Sequence, residues 1–158
     1  MKTLILIASV ALAMPAMAQE MAPGEYVATA GASDLYERQS AQLVLQSTKD
    51  PKVRTFAQMM VAQHGQSTAT VKAAAAKARV KVAPPKLTPL QAELIAELRA
   101  ESGVMRDKAY IAQQKAAHNQ ALSVQKAYAE GGSSVPLKLA AAKIVPVVMA
   151  HIEHLKAM

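Results

Sequence analysis

The sequence has no cysteine and no tryptophan, one phenylalanine and four tyrosines among 158 residues. Without cysteine there can be neither a disulfide framework nor a thiolate metal site, so burial alone must hold the fold. With so few aromatics, nucleic-acid recognition lacks its stacking platforms, and the basic residues form no cluster or known motif. Nucleic acid is therefore excluded as a partner. Acidic residues are also scarce, 11 against 18 lysines and arginines, for a formal net charge of +7. A basic balance of this kind suits a solvated, lysine-rich surface and allows association with an anionic envelope surface. No stretch alternates apolar and polar residues at useful length, so no strands are expected. No nucleophile–base arrangement and no phosphate-binding loop is visible. The sequence therefore leaves enzymatic activity undecided and gives no catalytic residue.

The N-terminus is the clearest signal. Met1-Lys2-Thr3 is a short basic start, Leu4 to Met14 is an apolar run, and Pro15 precedes Ala16-Met17-Ala18. A basic start, a short apolar stretch and a small-x-small site form the layout of a cleavable secretory signal. The run is too short to cross a bilayer, which takes about 20 residues. Residues 1–18 are read as a signal peptide and residues 19–158 as a single helical-bundle domain, with no transmembrane segment after cleavage. Losing Lys2 lowers the formal charge from +7 to +6. The expected location is outside the cytoplasm, in the periplasm or secreted.

Punctuation divides the rest into four long helical segments and one short one. The first runs from about Gly24 to Ser47. Asp50 then caps a second helix with Pro51 at its first position, where the missing N–H costs nothing. That helix reaches about Arg79. Pro84-Pro85 interrupts any helix, and Thr88, with Gln91 three residues on, forms a capping box for a short segment ending near Glu101. A third long helix runs from Ser102-Gly103 to about Glu130. The fourth starts near Val135, after Gly131-Gly132-Ser133-Ser134, and reaches almost to the C-terminus. Pro146 should kink it, because the carbonyl of Ala142 loses its donor. Apolar seams support a bundle. They run through Val53, Ala57, Met60 and Val71 in the second helix, Val104, Ile111 and Leu122 in the third, and Leu137, Ala141, Ile144, Val148 and Leu155 in the fourth. The fold class is all-α, a ferritin-like four-helix bundle whose long central connection carries a short helix.

The chain has four histidines. His64, His118 and His151 fall on the seams of three different long helices. In the first helix, Glu37 lies on the line Tyr26, Ala30, Ser33, Glu37, Ser40, Val44. Counting from the turns puts these four near one height. A buried carboxylate or imidazole needs a partner, so together they form either a polar cluster or a metal site. Neutral imidazole suits Zn, Cu, Fe or Ni. The candidate metal ligands are Glu37, His64, His118 and His151, and the cofactor, if there is one, is a transition metal ion. His154 turns off the seam and is left out. Met60 and Met149 stand near His64 and His151, where thioether would favour Cu(I), although methionine also fills gaps in an alanine-rich core. Asp107, on the face of His118 but three turns away, would order the far end of the core. A di-iron site would need further carboxylates.

The pattern resembles the domain-of-unknown-function family 4142, over roughly residues 25–157. The resemblance rests on Glu37, on Phe56-Ala57-Gln58-Met59-Met60-Val61-Ala62-Gln63-His64, on Gly103, Asp107, Tyr110 and His118, and on Pro146 and His151. Gln63 stands where the family commonly has an acidic residue, and Arg106 where it often has phenylalanine. The resemblance implies an exported bacterial protein with a ferritin-like four-helix core; it implies no activity. Three functional readings follow. The first is a non-enzymatic exported bundle serving envelope stress. The second is a periplasmic metal buffer or sensor for Zn, Cu or Fe. The third is a ferritin-like metalloenzyme. Oligomeric state is not encoded in any pattern found.

Overall fold

A computed structural model describes residues 21–158. Residues 1–18, read from the sequence as a signal peptide, lie outside the described residues. Five helices follow in order: α1 (Pro23–Leu45), α2 (Pro51–Lys77), α3 (Pro89–Ala100), α4 (Gly103–Gly131) and α5 (Val135–Lys156). No strand occurs among the described residues.

The caps form where the sequence places them. The Asp50 carboxylate accepts from the backbone N–H of Lys52 at 2.8 Å and starts α2. Thr88 and Gln91 close a reciprocal capping box at α3. The helix ends differ by a residue or two from the expectation: α1 stops at Leu45 and α2 at Lys77. Arg79 closes α2 in the left-handed region, φ 55°. The N–H of Val80 then reaches the carbonyl of Ala75 at 2.9 Å and that of Arg79 reaches Ala76 at 3.1 Å. This paired pattern satisfies the last carbonyls of the helix.

Each long helix packs against two others, in the cyclic order α1, α2, α5, α4. The turns after α1 and after α4 are short, so those pairs are antiparallel. The connection from α2 to α4 is long and runs the length of the bundle. At its end Gly103 N–H donates to Ser47 Oγ at 3.1 Å, and Thr48 Oγ1 donates to Asp107 Oδ2 at 2.9 Å. The start of α4 is thereby tied to the turn between α1 and α2, and Asp107 does order that end of the core. The helix α3 within this connection packs on α1 and α4. One long crossover in a four-helix bundle is the connectivity of ferritin-like folds.

The core is divided. One apolar cluster gathers Tyr26, Val27, Val71, Ala75, Tyr128, Leu137, Ala141, Ile144 and Val148 at one end. A second gathers Val44, Val53, Phe56, Met60, Leu98, Tyr110 and Leu155 at the other. Between them lies a layer of buried polar groups: Asp34, Glu37, His64, Gln114, His118 and His151.

Two expectations need correction. Val104 is 68% exposed, so the inner line of α4 does not begin there. It runs through Asp107, Tyr110, Gln114, His118, Gln125 and Tyr128 instead. The second bears on α5, where no apolar segment of membrane length was expected. Its 22 residues are long and apolar enough, by length and composition, to cross a membrane. The bundle accounts for one side of it, where Leu137, Ala141, Ile144, Val148, His151 and Leu155 are buried among the other helices, while Val135, Leu139, Val147 and Met149 are exposed. Pro146 lies inside α5, as the sequence reading placed it. The lost Ala142 bond does not end the helix.

Candidate metal centre

The polar layer is built from four helices. His64 comes from α2, His118 from α4 and His151 from α5, and all three are buried. Their ring centroids lie 5.2–5.7 Å apart in every pairing. One nitrogen from each ring falls within 4.8 Å of the other two. Phe56 stands against the His118 and His151 rings at 6.2 and 6.4 Å and closes the layer on the side of the second apolar cluster.

The outward nitrogen of each ring is held by an acceptor. His118 Nδ1 donates to the Gln114 carbonyl, one turn earlier, at 2.9 Å. His151 Nε2 donates to Gln63 Oε1 across the α2–α5 interface. His64 Nδ1 meets Asp34 Oδ1 at 2.8 Å, and the other oxygen of Asp34 accepts from Thr68 Oγ1 at 2.9 Å. A neutral imidazole carries one proton, so each of these bonds leaves the opposite nitrogen bare. In the neutral rings the bare nitrogens are His64 Nε2, His118 Nε2 and His151 Nδ1, and one nitrogen from each ring converges on the others. His118 Nε2 and His151 Nδ1 lie 3.2 Å apart. His64 Nε2 is buried with no hydrogen-bond partner.

Electrostatics keep two of the rings neutral. Burial, then the nearby His64, pushes the His118 pKa down to about 4. Burial, then His64 and His118, pushes that of His151 down to about 3. His64 behaves differently. Burial works to lower its pKa, but the bond to Asp34 and the charges of Glu37 and Asp34 outweigh it, and the net shift is upward. Two imidazoles are therefore available to a cation without proton competition, and the third is oriented by a carboxylate.

All four residues expected from the sequence lie in this layer, but they do not play equal parts. Glu37 Oε1 is 3.7 Å from His118 Nδ1, the nitrogen that faces away from the other two rings. Glu37 is not among the side chains whose ligand atoms converge. Both of its oxygens are buried without a hydrogen-bond partner. Burial raises its pKa to about 7, against the lowering effect of His64 and Gln114.

Asp34 is the residue of this candidate site that sequence reasoning missed. It sits one turn before Glu37, and that i, i+3 spacing on one face was the available signal. With Asp34 the layer has two carboxylates rather than one, but each stands behind a histidine. His154 is exposed, in keeping with its exclusion. Met149 is 47% exposed and Met60 packs in the second apolar cluster, so Met60 fills core space.

Comparison with solved structures finds the same fold in a Streptomyces coelicolor chain described as "putative secreted protein DUF305". The TM-score is 0.63 at 16% identity, covering 85% of this chain and 88% of that one. No curated protein matches. The family described as "Domain of unknown function (DUF4142)" matches residues 8–158, nearly the whole chain, and the protein belongs to that family.

Proposed function

We propose that this is an exported helical-bundle protein that binds one first-row transition metal ion, as a metal buffer or sensor of the cell envelope. The donors are His64 Nε2, His118 Nε2 and His151 Nδ1. The observation that carries the reading is the convergence of three imidazole nitrogens in a buried layer, two of them on rings that burial keeps neutral. Two lone pairs facing each other 3.2 Å apart repel. A cation between them turns that repulsion into coordination. The spacing suits the task, since two nitrogens about 2.0–2.1 Å from a tetrahedral ion stand about 3.3 Å apart. Three imidazoles without thiolate favour Zn(II) or Cu(II) over Cu(I). Glu37 contributes a negative charge behind His118, and Asp34 orients His64. A di-iron oxidase is disfavoured because both carboxylates stand behind histidines instead of bridging two ions. Export is supported by the layout of residues 1–18 and by the description of the structural neighbour as secreted. Periplasmic location and envelope-stress service fit a buffer or sensor of this kind.

The test is metal analysis of the mature chain, residues 19–158, recovered from the exported fraction without a histidine tag. One equivalent of bound metal, or tight stoichiometric uptake of Zn(II) or Cu(II), is expected. His118→Ala should abolish uptake and His154→Ala should leave it unchanged. Absence of uptake by the wild type, or uptake that survives His118→Ala, would overturn the reading.

A further inference from the structure

We infer that the metal centre keeps one coordination position open for a small exogenous ligand, water or a small anion. This rests on the metal reading above and goes beyond it, because it makes the bound ion accessible to chemistry from outside. Two observations carry it. First, the protein supplies only three converging donors among the described residues. The nearest spare carboxylate, Glu37, lies on the far nitrogen of His118. A zinc or copper ion with three imidazoles is coordinatively incomplete, which is the mark of sites that exchange ligands and not of purely structural ones. Second, two of the three rings adjoin free space. A cavity of about 20 Å³ borders His64 and His151. A single water needs roughly 10–15 Å³ of such space.

The walls of the cavity suit an anionic or protic ligand. Ser33 and Ser67 bring hydroxyl donors, while Ala121 and Val148 restrict its size. Asp34 is a wall shared with a larger outer pocket of about 370 Å³ between α1, α2 and residues 81–86. Lys72, Lys81 and Lys86 line that outer pocket. None of the three is in an ion pair among the described residues. A cationic approach raises the local concentration of small anions. The Asp34 carboxylate between the two spaces is already engaged by His64 and Thr68.

Azide tests this in the copper-loaded mature protein, followed by visible absorption and electron paramagnetic resonance. Copper stoichiometry is measured first. The expected result is a saturable azide-to-copper charge-transfer band with a shifted resonance spectrum, in both wild type and Glu37→Gln. Ala121→Val, which narrows the cavity, should weaken azide at least tenfold. If that variant does not fold, the wild-type and Glu37→Gln titrations still decide. A copper protein whose spectra do not move with azide would overturn the open position. So would a response seen only in Glu37→Gln, since Glu37 would then occupy the fourth place. Failure to bind copper at all would overturn the metal reading itself, and is distinguished before azide is added.

Discussion

His118 and His151, on antiparallel helices, face each other with Nε2 and Nδ1 3.2 Å apart, and each ring donates its other N–H away from the contact. The outward bonds set the tautomers, and the tautomers leave the inner nitrogens bare. Helix geometry does part of this work. The acceptor for His118 is the carbonyl of its own helix one turn earlier, which needs no special residue. The acceptor for His151 is Gln63, next to His64 on α2, so one turn of α2 serves two of the three rings.

Asp34 sets the third ring, and its removal should show in metal affinity. Asp34→Asn keeps an acceptor oxygen but removes the charge, while Asp34→Ala removes both. Loss of a carboxylate behind a ligating histidine typically weakens binding about 10–100-fold. Chelator competition should therefore show intermediate weakening for Asp34→Asn and the full loss for Asp34→Ala. Equal affinity in wild type and both variants would separate Asp34 from the site.

Much of this layer could be read from the sequence, and the parts that could not have a physical reason. The seams placed His64, His118 and His151 correctly because heptad-like spacing survives in long, regular helices. Counting outward from the turn between the first two helices puts Glu37 level with His64. In the structure α1 ends at Leu45 and α2 begins at Pro51, which centres the turn at 48. That centre makes Asp34, 14 residues before it, a closer match to His64, 16 after it, than Glu37. A two-residue error at a helix end thus moved the partnership by one turn. The choice of ring nitrogen was beyond any pattern, since it depends on a backbone carbonyl and on Gln63 across an interface. The exposed Val104 was misplaced because an apolar residue in the first turn of a helix fits a seam whether or not the helix is covered there.

Arg79 offers a test of the bundle apart from the site. It holds a left-handed conformation, φ 55°, in which a side chain costs about 1–2 kcal/mol and glycine costs little. Arg79→Gly should keep both closing hydrogen bonds of α2 and raise stability by about 1 kcal/mol, after allowing for the added freedom of the unfolded chain. Thermal melting should rise by a few degrees. A lower melting temperature would mean that the arginine makes a compensating contribution.

Gly132 should behave in the opposite way. A Cβ there would sit 2.6 Å from the Tyr128 ring and 2.7 Å from the Tyr128 carbonyl. The Tyr128 ring is stacked on Tyr26 at 3.9 Å between centroids, inside the first apolar cluster. Making room would disturb both the α4 terminus and that stack. Gly132→Ala should destabilise by about 1–3 kcal/mol, the usual cost of overpacking. Because neither Gly132 nor Tyr128 lies among the residues around the histidines, metal stoichiometry at low temperature should be unchanged. Denaturant unfolding and metal titration on one preparation would separate the two effects.

Glu37 gives the prediction with the most informative sign. Its carboxyl is buried, neither oxygen has a hydrogen-bond partner, and the N–H of His118, 3.7 Å away, is already donated to the Gln114 carbonyl. Its pKa is raised from the ordinary 4.5 to about 7, chiefly by burial. A raised carboxyl pKa means that the folded chain holds a proton which the unfolded chain has released. Glu37 therefore favours folding less and less as pH rises from about 4.5 through 7. Glutamine has the same shape and never ionises. In metal-free protein, Glu37→Gln should match the wild type near pH 5 and become more stable by about 1–3 kcal/mol at pH 8, in the range of a buried group left unsatisfied. Urea unfolding with chelator present, at the two pH values, measures this directly. A variant less stable than wild type at both would show that the ionised carboxylate is paired in solution. A metal ion on the histidines should shrink the gap at pH 8, because its charge stabilises the carboxylate.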